Sequence, residues 1–376
     1  MIVAEILVGL ALFGSFVYCA LSVVAVLKHV RAEPSATSVL RRPISVLKPL
    51  AGTEPSLEAN LRSFFEQDYP HFELLFALRS DRDPALPLVE QLRAEYPGVS
   101  SRLIVTGEPP YANAKVFSLK ALTAAAAHEV LVMSDSDVRV DSKFLRSISQ
   151  EISECAYDVA TCPYRAVPAA NFWSLLEALG MNTEFWASAF VAKLVEGVRF
   201  TVGPTVVARR QVFDGIPWDS LSQFLAEDFV LGRRAAEQGY RVDLSRVVVE
   251  HHLSDESAWH NLSHRIRWAR STRCSRPAGY VGQLFTNPIP LALILVILKP
   301  ALWPILIPTL FLRALSAHAT AFRALDDPLA RRWWALIPVQ DLLSFVFWLG
   351  GFTGNRIDWR GRRYKLHRDG TFELVT

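Results

Sequence analysis

Paired carboxylates occur at two places in the middle of this 376-residue chain. Asp135 and Asp137 follow an apolar run with one serine between them, and Glu227 and Asp228 open a helical pattern. Hard cations such as Mg²⁺ take oxygen ligands, typically one or two carboxylates plus phosphate oxygens. A carboxylate can also act as a general base toward an attacking hydroxyl group. We therefore predict a divalent cation, Mn or Mg, at the 135–137 triplet and a base at Asp228; a solvated turn and a partner for a helix dipole are the alternatives.

Basic and aromatic side chains form a third group. The run 264–268 (HRIRW) combines arginine, which suits phosphate recognition, with a tryptophan that can stack on a sugar or a base. An anchor at a membrane interface is the alternative interpretation. His251 and His252 follow a predicted strand at 246–250 and are either further metal ligands or ordinary polar residues at a strand end.

Short apolar runs alternate with helical patterns in the region that carries the first acidic pair. The predicted strands are 43–49, 72–78, 102–106 and 129–133, and the predicted helices are 55–67, 84–95 and 114–128. This alternation predicts an α/β domain with a mostly parallel sheet and helices on both faces. Ligands of such sheets bind at the carboxyl ends of the strands, where the 135–137 triplet falls.

Long apolar segments flank this domain. Residues 2–27 are long enough to span a bilayer, and no basic segment precedes them, so we predict a transmembrane helix at 1–28 rather than a cleaved signal peptide. Lys28, His29 and Arg31 follow it. Because cytoplasmic flanks are enriched in basic residues, we expect the following domain, 41–282, in the cytoplasm.

Two more apolar regions, 288–312 and 333–352, predict a C-terminal transmembrane or re-entrant region at 283–355, followed by a basic tail at 356–376. Lys299 and Pro300 could split the first region into two pieces. Asp341 in the second region either has a function or lies in a helix interface.

The segments 171–196 and 255–280 are the predicted interfacial helices of the domain. The first is too polar to span a membrane easily, so it either lies on the bilayer or is a buried core helix. These features together predict a multi-pass membrane protein.

Composition narrows the class of protein. Hydrophobic residues make up 51% of the chain, which is typical of a membrane protein. The 40 basic and 37 acidic residues argue against a nucleic-acid partner, which requires a strong basic excess. No pair of cysteines has C-x-x-C spacing, so neither a zinc ribbon nor a redox motif is predicted for Cys19, Cys155, Cys162 and Cys274.

The three sites, in this order, resemble the D, D-x-D, E-D and Q-x-x-R-W hallmark of processive-type glycosyltransferases with the Rossmann-like GT-A fold. Within that group the chain is most similar to the ceramide glucosyltransferase family and its bacterial relatives, which include the hopanoid glycosyltransferases. The stretches that carry the similarity are SVLKPLAGTEPSLEANLRSFFEQDYPHFELLFALR, MSDSDVRV, GVRFTVGPTVVARR, LAEDFVLGRRAAEQGYRV and HRIRWARSTR.

The resemblance implies an inverting enzyme that transfers a hexose, above all glucose, from a UDP-sugar donor to the hydroxyl group of a lipid acceptor such as ceramide. Its partners would be the UDP-sugar, the lipid acceptor and the lipid bilayer. Transfer of N-acetylglucosamine to a hopanoid or another lipid is the first alternative. A non-enzymatic membrane scaffold with the same fold is the second.

The resemblance also implies roles for single residues. Asp137 corresponds to the principal metal ligand, Asp135 lies nearer the ribose or the sugar, and Asp228 is the base. Arg267 and Trp268 hold the diphosphate and the acceptor. The other implied substrate-binding residues are Lys48, Asn113, Lys115 and Glu227.

Two positions depart from the family pattern. The first family aspartate usually follows the second strand in an R-D-P sequence, whereas this chain reads RSDRDP, and Asp81 is preferred over Asp83 for that role. His264 stands at the first position of Q-x-x-R-W. An imidazole can still donate a hydrogen bond there.

Overall fold

The computed structural model describes residues 2–31, 42–154, 157–255, 257–359 and 362–375. The predicted domain boundary at residue 41 and Cys155 lie outside the described residues. The chain forms two compact units. The sheet unit comprises Glu33–Tyr164 and Val198–Ser254, and the helical unit comprises Met1–Ala32, Arg165–Gly197 and Asp255–Thr376.

Helices and strands are numbered in chain order. The helices are α1 (Ile2–Arg31), α2 (Leu57–Phe65), α3 (Leu86–Glu95), α4 (Ala114–Ala125), α5 (Phe144–Glu154), α6 (Phe172–Gly180), α7 (Trp186–Glu196), α8 (Arg210–Asp214), α9 (Glu227–Glu237), α10 (Ala258–Ser275), α11 (Pro277–Gly282), α12 (Pro288–Leu298), α13 (Leu306–His318), α14 (Pro328–Trp333) and α15 (Ile337–Gly351). The strands are β1 (Ile44–Pro49), β2 (Phe72–Leu78), β3 (Ser100–Val105), β4 (Val130–Ser134), β5 (Val138–Arg139), β6 (Val159–Thr161), β7 (Tyr164–Val167), β8 (Thr205–Arg209), β9 (Val242–Leu244), β10 (Val249–His252), β11 (Arg356–Trp359), β12 (Arg362–Leu366) and β13 (Phe372–Leu374).

The sheet unit is built on a seven-stranded sheet of order β3-β2-β1-β4-β8-β6-β9. β1 pairs in parallel with both β2 and β4, and β2 pairs in parallel with β3. β8 is antiparallel to its neighbours β4 and β6. The predicted mostly parallel α/β sheet is therefore confirmed. The strand order reverses between β1 and β4, which is the place where open α/β sheets bind ligands.

The central strands are buried because both of their faces are covered. Every residue of β4 is buried, as are the first five residues of β1, which matches their mostly apolar sequences. One hydrophobic cluster joins sheet residues such as Leu47 and Leu131 to Leu119 and Leu122 of α4 and Leu231 of α9. This cluster fixes α4 and α9 against the sheet, so the first turns of both helices lie at one site.

The strand predicted at 246–250 is displaced. β10 begins at Val249 and includes His251 and His252, because it pairs with β5 in the antiparallel register that joins His251 to Val138. The two histidines are therefore strand residues, and the prediction that they follow the strand is wrong.

The helical unit contains the apolar helices. Among the described residues, Ile2–Arg31, Pro300–Ala324 and Pro328–Gly351 are long and apolar enough to cross a membrane. A further pair, Pro277–Thr286 and Pro288–Leu298, meets the same test as one broken span with a bend of 64°. The helix is interrupted at Lys299: α12 ends at Leu298, and a short 3₁₀-helix begins at Pro300. This agrees with the predicted division of the apolar region 288–312 at Lys299 and Pro300.

Asp341 lies in a helix interface of this unit. Its carboxylate forms a bidentate salt bridge with Arg313 of α13, with Nε–Oδ2 and Nη2–Oδ1 distances of 2.7 and 2.8 Å. Both side chains are almost completely buried. Arg313 also donates to the Thr183 carbonyl oxygen in the π-helix Met181–Phe185, which joins α6 to α7. Of the two interpretations of Asp341, the structure supports the helix interface.

The segments 165–197 and 255–282, which the sequence assigns to the domain 41–282, pack with the apolar helices in the helical unit. α10 is held to the end of α15 by two arginines. Arg270 and Arg273 donate to the Thr353 and Phe352 carbonyl oxygens at 2.9 and 3.0 Å, just beyond the last turn of α15. Positive side chains are favoured at a helix C-terminus, so these contacts stabilise the end of α15.

Candidate functional site

The 135–137 triplet forms the turn between β4 and β5. The Asp137 Oδ2 atom lies 3.1 Å from His251 Nε2 on β10, and Asp137 Oδ1 is buried without a hydrogen-bond partner among the described residues. Burial alone would raise the pKa of Asp137, but His251, Lys115 and Lys48 together hold it below its ordinary value. Asp137 is therefore an ionised carboxylate with one oxygen available.

Lys48 lies beneath this turn, at the carboxyl end of β1. The fully buried side chain donates from Nζ to the Asp135 carbonyl oxygen at 2.5 Å and to Ser134 Oγ at 3.3 Å. Its ammonium group also lies 4.1 Å from the centre of the Phe64 ring. Burial lowers the pKa of Lys48 to about 7, against the opposing effect of Asp135 and Asp137. Lys48 thus holds the backbone of the turn rather than pointing at open solvent.

Lys115, in the first turn of α4, links the two acidic sites. Its Nζ atom lies 2.7 Å from Asp135 Oδ1 and 3.4 Å from Glu227 Oε1. Although burial opposes a charge here, Asp135, Glu227 and Asp228 hold the pKa of Lys115 above its ordinary value. The carboxyl end of β4 and the first turn of α9 are therefore joined by one ammonium group.

Asp228 lies in the first turn of α9 against the backbone that precedes β8. Its Oδ2 atom accepts a hydrogen bond from the Gly203 N–H at 2.5 Å, and its carbonyl oxygen accepts one from Thr201 Oγ1 at 2.6 Å. A Cβ atom at Gly203 would lie 2.9 Å from Asp228 Oδ2, so only glycine allows this approach. Burial, followed by the neighbouring Glu227, raises the pKa of Asp228 to about 6, while Lys115 opposes the shift.

Asn113 caps α4 and ties it to α9. Its Oδ1 atom accepts a hydrogen bond from the Val116 N–H at 3.3 Å, as an N-cap residue does. Its Nδ2 atom donates to the Phe224 carbonyl oxygen at 3.1 Å and to Glu227 Oε2 at 3.3 Å. Asn113 therefore orients Glu227 from the side opposite Lys115.

A pocket opens between these groups. It is lined by Lys115, Leu119, Met133, Asp135, Gly203, Val206, Trp218, Leu221, Glu227, Asp228 and Leu231. The lining combines one cation and three carboxylates with apolar side chains. These apolar side chains come from β4, β8, α4, α9 and the short 3₁₀-helix Trp218–Leu221. Such a mixture of apolar walls and few convergent polar groups is typical of a ligand site.

The carboxylates of the turn fit a hard cation. Among the described residues there is no group of three or more His, Cys, Asp and Glu side chains that could hold a metal ion by themselves. Mg²⁺ and similar cations need only one or two carboxylates when phosphate oxygens complete the coordination. The buried, unpartnered Oδ1 atom of Asp137 is suited to this role.

The two candidates for the first family aspartate differ in environment. Asp83 accepts hydrogen bonds from the backbone N–H groups of Gly52 and Ala85, at 3.1 and 2.9 Å. Gly52 has a φ of +73°, in the left-handed region that glycine adopts without steric cost. Asp81 is exposed, and its carboxylate accepts a hydrogen bond from Ser80. Asp83 thus shapes the loop, whereas Asp81 faces solvent.

The remaining predicted residues lie on α10 in the helical unit. The rings of His264 and Trp268, one turn apart, have centroids 4.4 Å from each other. The described contacts bring His264 to Glu177 of α6, with 3.8 Å between Nδ1 and Oε1. Arg267 lies on the same helix. Sequence analysis did not select Glu177, because a single carboxylate in an apolar helix gives no motif.

Gly203, whose N–H binds Asp228, is another site residue that the sequence does not single out. The only local signal is the Gly-Pro pair immediately before β8, which marks a turn rather than a function.

Comparison with solved structures identifies the fold. The chain aligns with a mannosyltransferase from Pyrobaculum calidifontis in complex with GDP-Man and Mn²⁺, with a TM-score of 0.53 and 18% identity, over 92% of this chain and 98% of that one. The catalytic fold is therefore GT-A, with a mostly parallel sheet, accompanied by apolar helices toward both ends of the chain.

Sequence comparison identifies the family. Ceramide glucosyltransferase 1 of Caenorhabditis elegans is 27% identical over 220 residues, which are 58% of this chain and 46% of that protein. Ceramide glucosyltransferase 3 of the same organism is 26% identical over 232 residues, 60% of this chain and 50% of that protein. The chain thus spans about half the length of the curated relatives it matches. The profile of glycosyl transferase family 21 matches residues 7–372, and this chain belongs to that family.

Proposed function

We propose that this protein is an inverting glycosyltransferase that moves glucose from UDP-glucose to the hydroxyl group of a membrane lipid such as ceramide. The observation that carries the proposal is the position of Asp228. Its carboxylate lines the pocket beside the 135–137 turn, is held by the Gly203 N–H, and has a pKa of about 6. A base with this pKa is half ionised close to the pH at which it must work.

In the proposed reaction the acceptor oxygen attacks the anomeric carbon of the donor sugar. The bond from that carbon to the diphosphate oxygen breaks, and the electron pair leaves with UDP. The acceptor hydroxyl proton passes to Asp228. Direct attack from the side opposite the leaving group inverts the anomeric configuration.

Asp137 would hold the divalent cation, Mn or Mg, and Asp135 would lie nearer the ribose or the sugar of the donor. A cation there offsets the negative charge that develops on the diphosphate. The support is the ionised state of Asp137 and its unpartnered Oδ1 atom.

Lys115, Asn113 and Glu227 would bind and orient the donor. Lys115 already neutralises two carboxylates, so a diphosphate would find a cation fixed beside the pocket. Lys48 would act on the donor indirectly, because its ammonium group fixes the backbone of Asp135. The exposed carboxylate of Asp81 would contact the donor as the first family aspartate.

His264, Arg267 and Trp268 would hold the diphosphate and the acceptor, which the resemblance implies. Within the predicted domain 41–282, the sheet unit would carry the donor site, and 171–196 and 255–280 would be the interfacial segments. The basic residues that end α1 support a cytoplasmic catalytic domain. The location proposed for the protein is a bacterial inner membrane, which only the resemblance to the bacterial members of the family implies.

An activity screen of the purified, detergent-solubilised protein tests the proposal. Radiolabelled UDP-glucose, UDP-galactose and UDP-N-acetylglucosamine are each combined with ceramide, diacylglycerol and a hopanoid, with and without Mn²⁺ or Mg²⁺. We expect label from UDP-glucose in glucosylceramide, and only with a cation present.

Label transferred from UDP-N-acetylglucosamine to the hopanoid would show that the donor and the acceptor are different from those proposed. The type of reaction, sugar transfer to a lipid, would still be as proposed. Absence of label in every pair, together with no binding of UDP, would overturn the proposal in favour of a membrane scaffold. The Asp228→Asn variant is the matched negative control.

A further inference from the structure

Glu177 is a buried carboxylate in the middle of α6. Its side chain is 7% exposed, and it points to α10 rather than to solvent. Glu177 Oε2 accepts a hydrogen bond from Asn261 Nδ2 on α10, and Glu177 Oε1 lies 3.8 Å from His264 Nδ1. A buried carboxylate is retained only when its partners offset the loss of hydration. These two partners belong to one face of α10.

That face of α10 carries the motif with arginine and tryptophan. Asn261, His264, Arg265 and Trp268 are spaced by three and four residues, so they lie on one side of the helix. The ring of His264 lies between the carboxylate of Glu177 and the indole of Trp268, whose centroid is 4.4 Å away. Burial lowers the pKa of Arg265, and Glu177 opposes this shift. Glu177 is therefore one of two carboxylates, with Glu184, whose charge favours the ionised form of Arg265.

We propose that Glu177 is a positioning residue for transfer: it fixes the ring of His264 and, through it, the ring of Trp268. The inference rests on the proposed function, in which Trp268 contacts the substrates. Glu177 itself touches neither substrate in this scheme.

The chemistry of the imidazole explains why a carboxylate is needed at this place. A neutral imidazole carries its single proton on either Nδ1 or Nε2, and a partner selects which one. At 3.8 Å the carboxylate is beyond hydrogen-bond range, so it acts through its charge and favours a proton on Nδ1. A glutamine at position 264 would have a donor and an acceptor at once and would need no such selection. The effect of Glu177 is therefore expected only when residue 264 is a histidine.

A double-mutant cycle separates this role from simple packing. We compare Glu177→Gln, His264→Gln and the double variant in the lipid-transfer assay. Because residues in contact are coupled, Glu177→Gln should lower kcat about tenfold when His264 is present but change it less than about twofold in the His264→Gln background. KM for the UDP-sugar should change little. An equal loss of kcat in both backgrounds would mean that Glu177 only packs α6 against α10, and would overturn the proposal.

Glu196→Gln is the matched control, since Glu196 lies in the same unit, is half exposed, and pairs with Arg276 at the surface. The same change of charge there should leave kcat unaltered. Thermal unfolding of each variant in detergent separates loss of folding from loss of positioning.

A second measurement does not require turnover. The protein is labelled with 5-fluorotryptophan, and the ¹⁹F resonance of Trp268 is assigned with Trp268→Phe. Glu177→Gln should shift this resonance in the His264 protein and leave it in place in the His264→Gln protein. An unshifted resonance in the His264 protein would overturn the positioning role even if the protein transfers no sugar. A shifted resonance without transfer by the unmodified protein would instead contradict the proposed function alone.

Discussion

Asp228 illustrates how neighbouring charges set the behaviour of a single residue. Burial and Glu227 favour its protonated form, while Lys115 and the Gly203 N–H favour its ionised form. The balance leaves the pKa near 6, roughly two units above the ordinary value of an aspartate. The residue is therefore able to take up a proton at neutral pH and to release it again.

The pH dependence of transfer follows from this pKa. Because the raised pKa means that Asp228 is protonated below about pH 6, and only the ionised form can accept a proton, kcat/KM should fall as the pH is lowered from about 7 to about 5. The midpoint is expected near pH 6 in rates measured over this range. Asp228→Asn should lower kcat by about 10²- to 10⁴-fold and keep donor binding measurable. Full activity of that variant would contradict its role as the base.

Asp137 is predicted to bind the cation, so Asp137→Ala should abolish the dependence of UDP binding on Mn²⁺. Isothermal titration of UDP with and without Mn²⁺ measures this directly. The control is Asp68→Ala, because Asp68 is exposed and pairs with Arg146 at the surface. Equal affinities for UDP with and without Mn²⁺ in the unmodified protein would argue against the ligand role.

Among single residues, those that the sequence identifies are polar or charged side chains next to an apolar segment. Two carboxylates after an apolar strand are such a signal, and they predict the 135–137 turn correctly as a strand-end feature. Lys48 was selected as well, but its contact with the Asp135 carbonyl oxygen joins positions 87 residues apart. Nothing local in the sequence specifies that contact, because it depends on the pairing of β1 with β4.

At the scale of elements, α9 presents Glu227 and Asp228 because it lies unusually close to the backbone before β8. A Cβ atom at Gly232 would lie 2.3 Å from the Thr201 nitrogen and 2.4 Å from the Phe200 carbonyl carbon. Real Cβ atoms do not approach backbone this closely, so α9 must move if Gly232 is replaced.

Gly232→Ala should therefore displace the first turn of α9. Overpacking of this kind costs about 1–3 kcal/mol, and transfer should fall more than stability does because Asp228 moves with the helix. Chemical denaturation and kcat measure the two effects separately. Gly98→Ala is the control, since no atom lies within 4 Å of the position of its Cβ. Unchanged kcat in Gly232→Ala would show that the rate of transfer does not depend on the exact position of α9.

Elements with a clear period were predicted well. Strands β1 to β4 and helices α2 to α4 occur where the apolar pattern indicates them, with ends shifted by a few residues. The antiparallel direction of β8 was not predictable, because strand direction depends on partners and not on local pattern. The π-helix Met181–Phe185 was also missed, since its widened turn is stabilised by the distant side chain of Arg313.

At the scale of the whole molecule, the helical unit depends on the buried pair of Arg313 and Asp341. Asp341→Asn removes one charge and leaves the other without a counter-ion in an apolar interior. Breaking a buried pair in this way costs about 3–5 kcal/mol. Thermal unfolding in detergent should show a clear loss of stability.

The double variant Arg313→Met with Asp341→Leu should recover much of that loss, because apolar residues of similar volume often replace a buried pair. Equal stability of Asp341→Asn and the unmodified protein would show that the pair is unimportant.

The division into units could not be predicted from the sequence. Composition suggested that one continuous stretch, 41–282, forms a domain. The described contacts instead group 165–197 and 255–282 with the apolar helices. The reason is that these segments have amphipathic or mixed patterns, which fit a soluble core and a membrane-associated unit equally well.

The interleaving of the two units has a consequence for biosynthesis. The chain leaves the ribosome from its N-terminus, and domains fold as their residues appear. α1 precedes its partners α12 and α13 by more than 250 residues. Strands β1 to β4 are complete by residue 134, but β8, which borders β4, follows only after the segment 165–197 has been synthesised. During this interval the nascent protein exposes an open edge of β4 and an apolar helix that lacks its later partners. Its yield in cells should therefore depend on the chaperones and the insertion machinery that shield these surfaces.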